Sequence, residues 1–397
     1  MQDKLIAKIE AITQQPVLVD VAAITDIIEK AIEVESINLE DAWRLLNIDA
    51  HRQSELLSMV LSAARKKKTQ RFNDAVFSIS PLYVTSICCE HCTYCNFRVE
   101  NRSTDITRLR LTPDQLREEL DFLVNQHGLR VVELVYSSDP KFDINAVIEH
   151  IRITTKVLDK VGGGIVGING APFTVDEYRR LIDVGLNFIV LWQETYNRNR
   201  YQELHPGQTP KTDYGHRVTA YERMAQAGIE NIGMGILSGL ASWREDWLSL
   251  MTHEQYLYEK FGNYAAILGV PRLKPARGAF VQTTPYIPSD EEYLLAIAVH
   301  NLFSPTTVPF VNTREQWGLC VEAARGGGAL FTFNCSTIPG GYTQGIKGYQ
   351  FPTADFPASV YAPKLRSEGL SPVMKWTFEG IRAGVWNDTR SENDPER

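Results

Sequence analysis

The chain has 397 residues, 44% hydrophobic and 22% charged, with a formal net charge of −7. That is globular composition with ample material for a core, and its acidic balance excludes the basic, clustered footprint of a nucleic-acid binder. No run approaches the ~18 uninterrupted apolar residues of a membrane span, and Met1-Gln-Asp-Lys-Leu-Ile-Ala-Lys8 lacks the apolar centre of a signal peptide, so a reducing, cytoplasmic setting is expected.

Residues 1–75 read as an N-terminal helical extension. Leu5, Ile9 and Ile12 recur at helical spacing, as do Ile24, Ile27, Ile28 and Ala31, and Asn38-Leu-Glu-Asp41 has the look of a capped helix start. The basic run Arg65-Lys-Lys-Lys68 reads as a solvated helix end. From Phe77 short apolar runs alternate with amphipathic stretches. Strands are predicted at 77–85, 131–136, 164–169, 188–192, 232–237, 265–270 and 309–312. Helices are predicted from Thr112-Pro-Asp-Gln115, at 144–161, 174–184, 215–227, 245–261 and 289–302, and after Arg314. Such βα alternation implies parallel strands joined by right-handed crossovers, and roughly eight units in about 250 residues fit an α/β (β/α) TIM-type barrel. The expected division is 1–75 extension, 76–340 barrel, and 341–397 an irregular segment closing one barrel end, with a disordered polar tail from Asn387.

The chemistry concentrates in Ser86-Ile-Cys-Cys-Glu-His-Cys-Thr-Tyr-Cys-Asn-Phe97, where Cys88, Cys92 and Cys95 form a C-x3-C-x2-C run directly after the first strand. Three thiolates in so short a loop suit a cuboidal iron–sulfur cluster with one iron left open, whereas a structural zinc site closes with four protein ligands. An open iron can chelate the amino and carboxylate groups of S-adenosylmethionine (SAM). Cys89, Cys320 and Cys335 read as structural thiols, His91 as a solvated loop residue, and six sparse cysteines argue against a disulfide framework. In a barrel the loops after the strands carry the site.

The cysteine motif, with Tyr94 and Phe97 beside its third cysteine, resembles the radical SAM superfamily. Longer stretches occur in a fixed order: Pro81-Leu-Tyr-Val-Thr-Ser-Ile-Cys88, Gln193-Glu-Thr-Tyr196, His205-Pro-Gly-Gln-Thr-Pro-Lys-Thr-Asp-Tyr214, Gly233-Met-Gly-Ile-Leu-Ser-Gly-Leu240, Val270-Pro-Arg-Leu-Lys-Pro275, Asn312-Thr-Arg-Glu315 and Ser336-Thr-Ile-Pro-Gly-Gly-Tyr342. Together they resemble the aromatic amino acid lyases, a family that includes the tyrosine lyase (2-iminoacetate synthase) of thiamine biosynthesis, the tyrosine lyase of iron-hydrogenase maturation and a tryptophan lyase. With no cysteine after Cys335, the second cluster of the hydrogenase-maturation enzyme is not expected, and the layout resembles that of the thiamine type.

The resemblance implies a [4Fe-4S] cluster on Cys88, Cys92 and Cys95, and SAM contacted by Tyr94, Glu194 and Arg217. Relatives usually carry an acid for the SAM amino group where this chain has Ser138, and Asp139, one position on, is the candidate substitute. Lys274 stands where relatives often have Arg. Arg314 and Tyr83 would hold the head group of an amino acid substrate, and Ser336 and Thr337 would line the end of the pocket that takes its ring. The implied reaction is hydrogen abstraction by a 5′-deoxyadenosyl radical, then Cα–Cβ scission of tyrosine to 2-iminoacetate and p-cresol. A related lyase of tryptophan or another amino acid is the neighbouring reading, and a non-catalytic Fe–S carrier a more distant one. Implied partners are an electron donor such as flavodoxin or ferredoxin and, by analogy, a thiazole synthase.

Overall fold

The computed structural model describes residues 2–33, 36–102, 106–262, 264–346, 348–354 and 356–386; the polar tail expected to be disordered lies outside them. Helices α1 (Gln2–Thr13), α2 (Val21–Glu33), α3 (Leu39–Leu46) and α4 (Ser54–Phe72) precede the first strand. Asn38 caps α3 through its side chain, and Ile24, Ala31, Leu45 and Leu46 are fully buried.

There follow β1 (Ala75–Thr85), α5 (Pro113–Leu120, continued as a π-helical segment to Gln126), β2 (Val131–Tyr136), α6 (Ile144–Asp159), β3 (Ile165–Asn169), α7 (Val175–Ile182) and β4 (Phe188–Glu194). Next come α8 (Arg198–Leu204), α9 (Tyr214–Val218), α10 (Ala220–Ala227), β5 (Ile232–Ile236), α11 (Trp243–Phe261), β6 (Ile267–Gly269), α12 (Asp290–Phe303), β7 (Val308–Val311), α13 (Trp317–Arg325) and β8 (Leu330–Thr332). Every pairing between neighbouring strands is parallel, and β1 pairs with both β2 and β8, which closes an eight-stranded barrel. Thr112 begins α5 with a reciprocal capping box to Gln115 and Pro113 at the first turn, as its sequence predicts.

The barrel floor is dry. Phe77, Ile79, Val131, Ile165, Phe188, Val190, Ile267, Val308 and Leu330 form one buried cluster. Glycines on facing strands make room for two large rings: a Cβ at Gly167 would lie 2.1 Å from Phe188, and one at Gly269 would lie 2.0 Å from Trp192.

Three features depart from the sequence reading. The predicted helix at 215–227 is two helices broken at Thr219, and α8 stands where no element was expected. Lys67 and Lys68 are not solvated: both are buried, and Lys68 Nζ donates to the carbonyls of Asn73 (2.7 Å) and Ala75 (3.1 Å), closing the turn into β1. The C-terminal segment serves both ends of the barrel. Gln350 and Phe351 lie at the mouth. Beyond them α14 (Ala358–Ser367) packs Tyr361 against Phe331 and Phe333, and β9 (Ser371–Val373) and α15 (Phe378–Arg382) close the bottom. Phe77 pairs with Leu330 on one edge and Val373 on the other, so β9 fills the edge of β1 that β2 leaves open below Ser80. Among the described residues no helix is long and apolar enough to cross a membrane.

Candidate active site

At the C-terminal ends of the strands a cavity of about 1350 Å³, its open mouth included, is lined by Tyr83, Cys88, Cys92, Tyr94, Cys95, Ser138, Glu194, Arg217 and Arg314 among others. These come from the loops after β1, β2 and β7, from β1 and β4 themselves, and from α9, so closure of the barrel assembles residues far apart in sequence.

The cysteine loop fits a cuboidal cluster. All three spaced thiols face this cavity, whereas Cys89 does not and is tied through its N–H to Ser138 O at 2.9 Å. Backbone N–H groups of Glu90 and Phe97 approach the sulfurs of Cys88 (3.5 Å) and Cys95 (3.4 Å), the donor pattern that steadies thiolate ligands. Burial pushes the Cys88 thiol up to about 12 and raises Cys92 as well, and a bound metal would favour their thiolate forms. Among the described residues no three His, Cys, Asp or Glu side chains converge tightly enough to share one ion. A cubane asks for something else, one thiolate on each of three corners.

Glu194 ends β4 in the left-handed region (φ 75°), at a register shift against β5. A non-glycine residue there is strained, and such strain collects at functional sites. Its Oε1 accepts from Lys211 Nζ at 2.6 Å and lies 3.6 Å from Arg217 Nη2. Burial alone would raise the Glu194 carboxyl; the two cations overcome it and hold the group below its ordinary value. Arg217 is anchored in turn by donating to Trp192 O from Nε (2.8 Å) and Nη2 (2.5 Å). Tyr94 donates its hydroxyl to His205 Nε2 (2.8 Å), since His205 Nδ1 donates to Tyr201 O (2.7 Å), and burial lowers His205 to about 3, keeping it neutral.

Arg314 is half-buried, three residues past the end of β7. Its guanidinium lies 3.1 Å from the Phe351 ring centroid, its Nε has no hydrogen-bond partner, and no carboxylate among the described residues pairs with it. Burial lowers it to about 10. Tyr83 donates to Gln350 Oε1 (2.7 Å), and Gln350 Nε2 reaches Cys95 Sγ (3.6 Å), so the mouth segment touches the cluster loop and the rim at once.

Three expected residues do not reach the cavity. The Asp139 carboxylate is turned away and consumed by Arg110 (2.5 and 2.6 Å), Thr85 (2.7 Å) and the Lys141 N–H (3.1 Å), so it does not stand in for the acid missing at Ser138. The Ser336 and Thr337 hydroxyls are committed to the carbonyls of Ile338 (3.4 Å) and Phe351 (3.0 Å) and border a separate surface depression. Lys274 faces the cavity but is paired with Glu315 at 2.7 Å, beside Arg272.

The sequence reading assigned no role to Lys211, Gln350, Phe351, Glu133 or Asn169, all of which line the cavity, and it took Cys335, also there, for a structural thiol. Lys211 had a signal, a lone cation in a stretch quoted whole for its resemblance. Glu133 had a stronger one, an acid inside the apolar strand Val131-Val-Glu-Leu-Val-Tyr136. His91, expected to be solvated, is paired with Glu100.

The family model described as the radical SAM superfamily matches residues 82–248. The 2-iminoacetate synthase of Escherichia coli (strain K12) is 26% identical over 355 residues, 88% of this chain and 89% of that enzyme. The 3-methylornithine synthase of Methanosarcina barkeri (strain Fusaro / DSM 804) is 30% identical over 220 residues, 54% of this chain and 57% of that enzyme. The crystal structure of HydG, a maturase of the [FeFe]-hydrogenase, superposes with a TM-score of 0.86 at 30% identity, covering 97% of this chain and 82% of that one.

Proposed function

The chain belongs to the radical SAM superfamily, whose members use a [4Fe-4S] cluster and SAM, and from that premise we propose that it is a lyase splitting the Cα–Cβ bond of free L-tyrosine to 2-iminoacetate and p-cresol. The observation that carries the amino acid part of this reading is Arg314: a half-buried guanidinium with an unpartnered, buried Nε and no carboxylate partner among the described residues, in the same cavity as the three spaced cysteines. A planar fork in a dry site calls for a carboxylate. Similarity to 2-iminoacetate synthase over most of both chains supports the reaction type.

Cluster and SAM together would supply, when bound, a carbon radical able to take a hydrogen atom from the substrate. The rest is positional work by this chain. Cys88, Cys92 and Cys95 would hold the cluster. Glu194, fixed by Lys211 and Arg217, would accept hydrogen bonds from the SAM ribose; Tyr94 and Ser138 would flank the cofactor. Arg314 would clamp the substrate carboxylate and Tyr83 its head group, leaving one N–H facing the reacting carbon in a cavity whose floor excludes water. Reducing equivalents would come from a flavodoxin or ferredoxin in the cytoplasm, and 2-iminoacetate would pass to a thiazole synthase.

The test is anaerobic reconstitution with SAM, a reductant and tyrosine, followed by assay for 5′-deoxyadenosine, p-cresol and glyoxylate, the hydrolysis product of 2-iminoacetate. All three should rise together. Deoxyadenosine without p-cresol would overturn tyrosine as the substrate, and tryptophan would be assayed next.

A further inference from the structure

Glu133 lies within β2, inside the barrel rather than on its rim, and borders the cavity while being 3% exposed. Its Oε1 accepts from Asn169 Nδ2 at 2.8 Å, and no donor from the described residues reaches Oε2. Three acids buried to the same degree are better served. Glu119 takes Tyr342 N, Thr343 N and Thr343 Oγ1; Glu254 takes His300, Ser304 and Thr307; Glu315 takes Arg272 and Lys274. A half-satisfied carboxylate facing a cavity, with no cation beside it, is costly unless a ligand supplies the missing donor.

We propose that Glu133, oriented by Asn169, selects the substrate's side chain by accepting a hydrogen bond from a donor group at its far end. Arg314 sits on the rim, beyond the end of β7, and Glu133 within β2, so an amino acid clamped by its carboxylate would turn its side chain toward the acid. The shared chemistry is an amino acid whose side chain ends in a donor. The identity of that donor as a phenol hydroxyl rests on the tyrosine reading; the need for a donor does not. Burial raises the Glu133 carboxyl to about 7, so near neutrality it can accept in its charged form and release its proton at little cost. A site built around a buried acceptor rejects an analogue that lacks the donor, because the acceptor is then left unpaired.

The experiment is equilibrium dialysis of labelled amino acids against the reconstituted enzyme with SAM and no reductant, so that binding is read without turnover. Tyrosine should bind about 10- to 100-fold more tightly than phenylalanine. In E133L that preference should fall to within about threefold while SAM affinity holds. The isosteric E133Q serves if E133L does not fold, and should reduce the preference by about threefold or more. A preference that survives either substitution in folded protein overturns the proposal, as does a wild-type enzyme indifferent to the phenol. If the wild type instead prefers tryptophan or lysine, and E133L erases that preference, the selector stands and tyrosine falls. If p-cresol forms with no dependence on Glu133, the lyase reading stands and the selector falls.

Discussion

Arg314 and Glu133 are opposite charges in one cavity, and each is short of a partner. Replacing Arg314 by Ala should weaken amino acid binding about 100-fold, the loss of a charge-assisted pair worth about 3 kcal/mol, and leave SAM affinity alone; dialysis of both ligands separates the two. R314K should recover only part, since an ammonium offers no planar fork. Glu133 should also mark the pH dependence of stability. Its carboxyl is raised from 4.5 to about 7 by burial, so the folded state holds the proton more tightly than the unfolded chain. The penalty is therefore absent below about 4.5, grows between about 4.5 and about 7 while only the unfolded chain ionises, and is constant above that. E133Q, which cannot ionise, should match the wild type near pH 4 and exceed it at pH 8 by about 3 kcal/mol in denaturant titrations. Equal stability at pH 8 would count against the burial argument. Of these two residues, Arg314 was legible in the sequence because it follows a strand within a recognisable stretch. Glu133 was signalled by the apolar run around it, but only the barrel shows that it faces the cavity.

Among the elements, what the sequence showed and what it hid follow from length and periodicity. Long amphipathic helices and the capping box at Thr112 carry local signals, and they appear where expected. The strands β8 and β9 have three residues each, too short for any period, and pairing defines them, β8 with β7 and β1, β9 with β1. Asp139 failed for a different reason: reading along the chain could not show that Arg110 would claim it. The glycines of the barrel wall are legible only in three dimensions. Gly269→Ala would drive a methyl into the rigid Trp192 ring, which cannot move without disturbing the carbonyl that anchors Arg217. A loss of at least about 2 kcal/mol is expected in the denaturant midpoint, with weakened SAM binding alongside.

For the whole molecule, the N-terminal helices are part of the barrel's support. The Ile37 N–H donates to Leu302 O (3.1 Å) at the end of α12, and Arg244 on α11 donates to Leu46 O (2.8 Å), tying the extension to two barrel helices. Deleting residues 1–53 should expose the apolar faces now covered by Ile24, Ala31, Leu45 and Leu46, and the product should run as an aggregate on size exclusion rather than as a smaller active barrel. The floor has a further consequence. Phe188 and Trp192 fill the interior, and Trp376 and Phe378 seal it from below, so among the described residues the barrel is closed at its floor and the cavity opens at the C-terminal ends of the strands. Every ligand must queue there. A ligand lodged at Glu133 would have to arrive before one that fills the mouth, and to leave after it. Traffic of that kind would make turnover ordered.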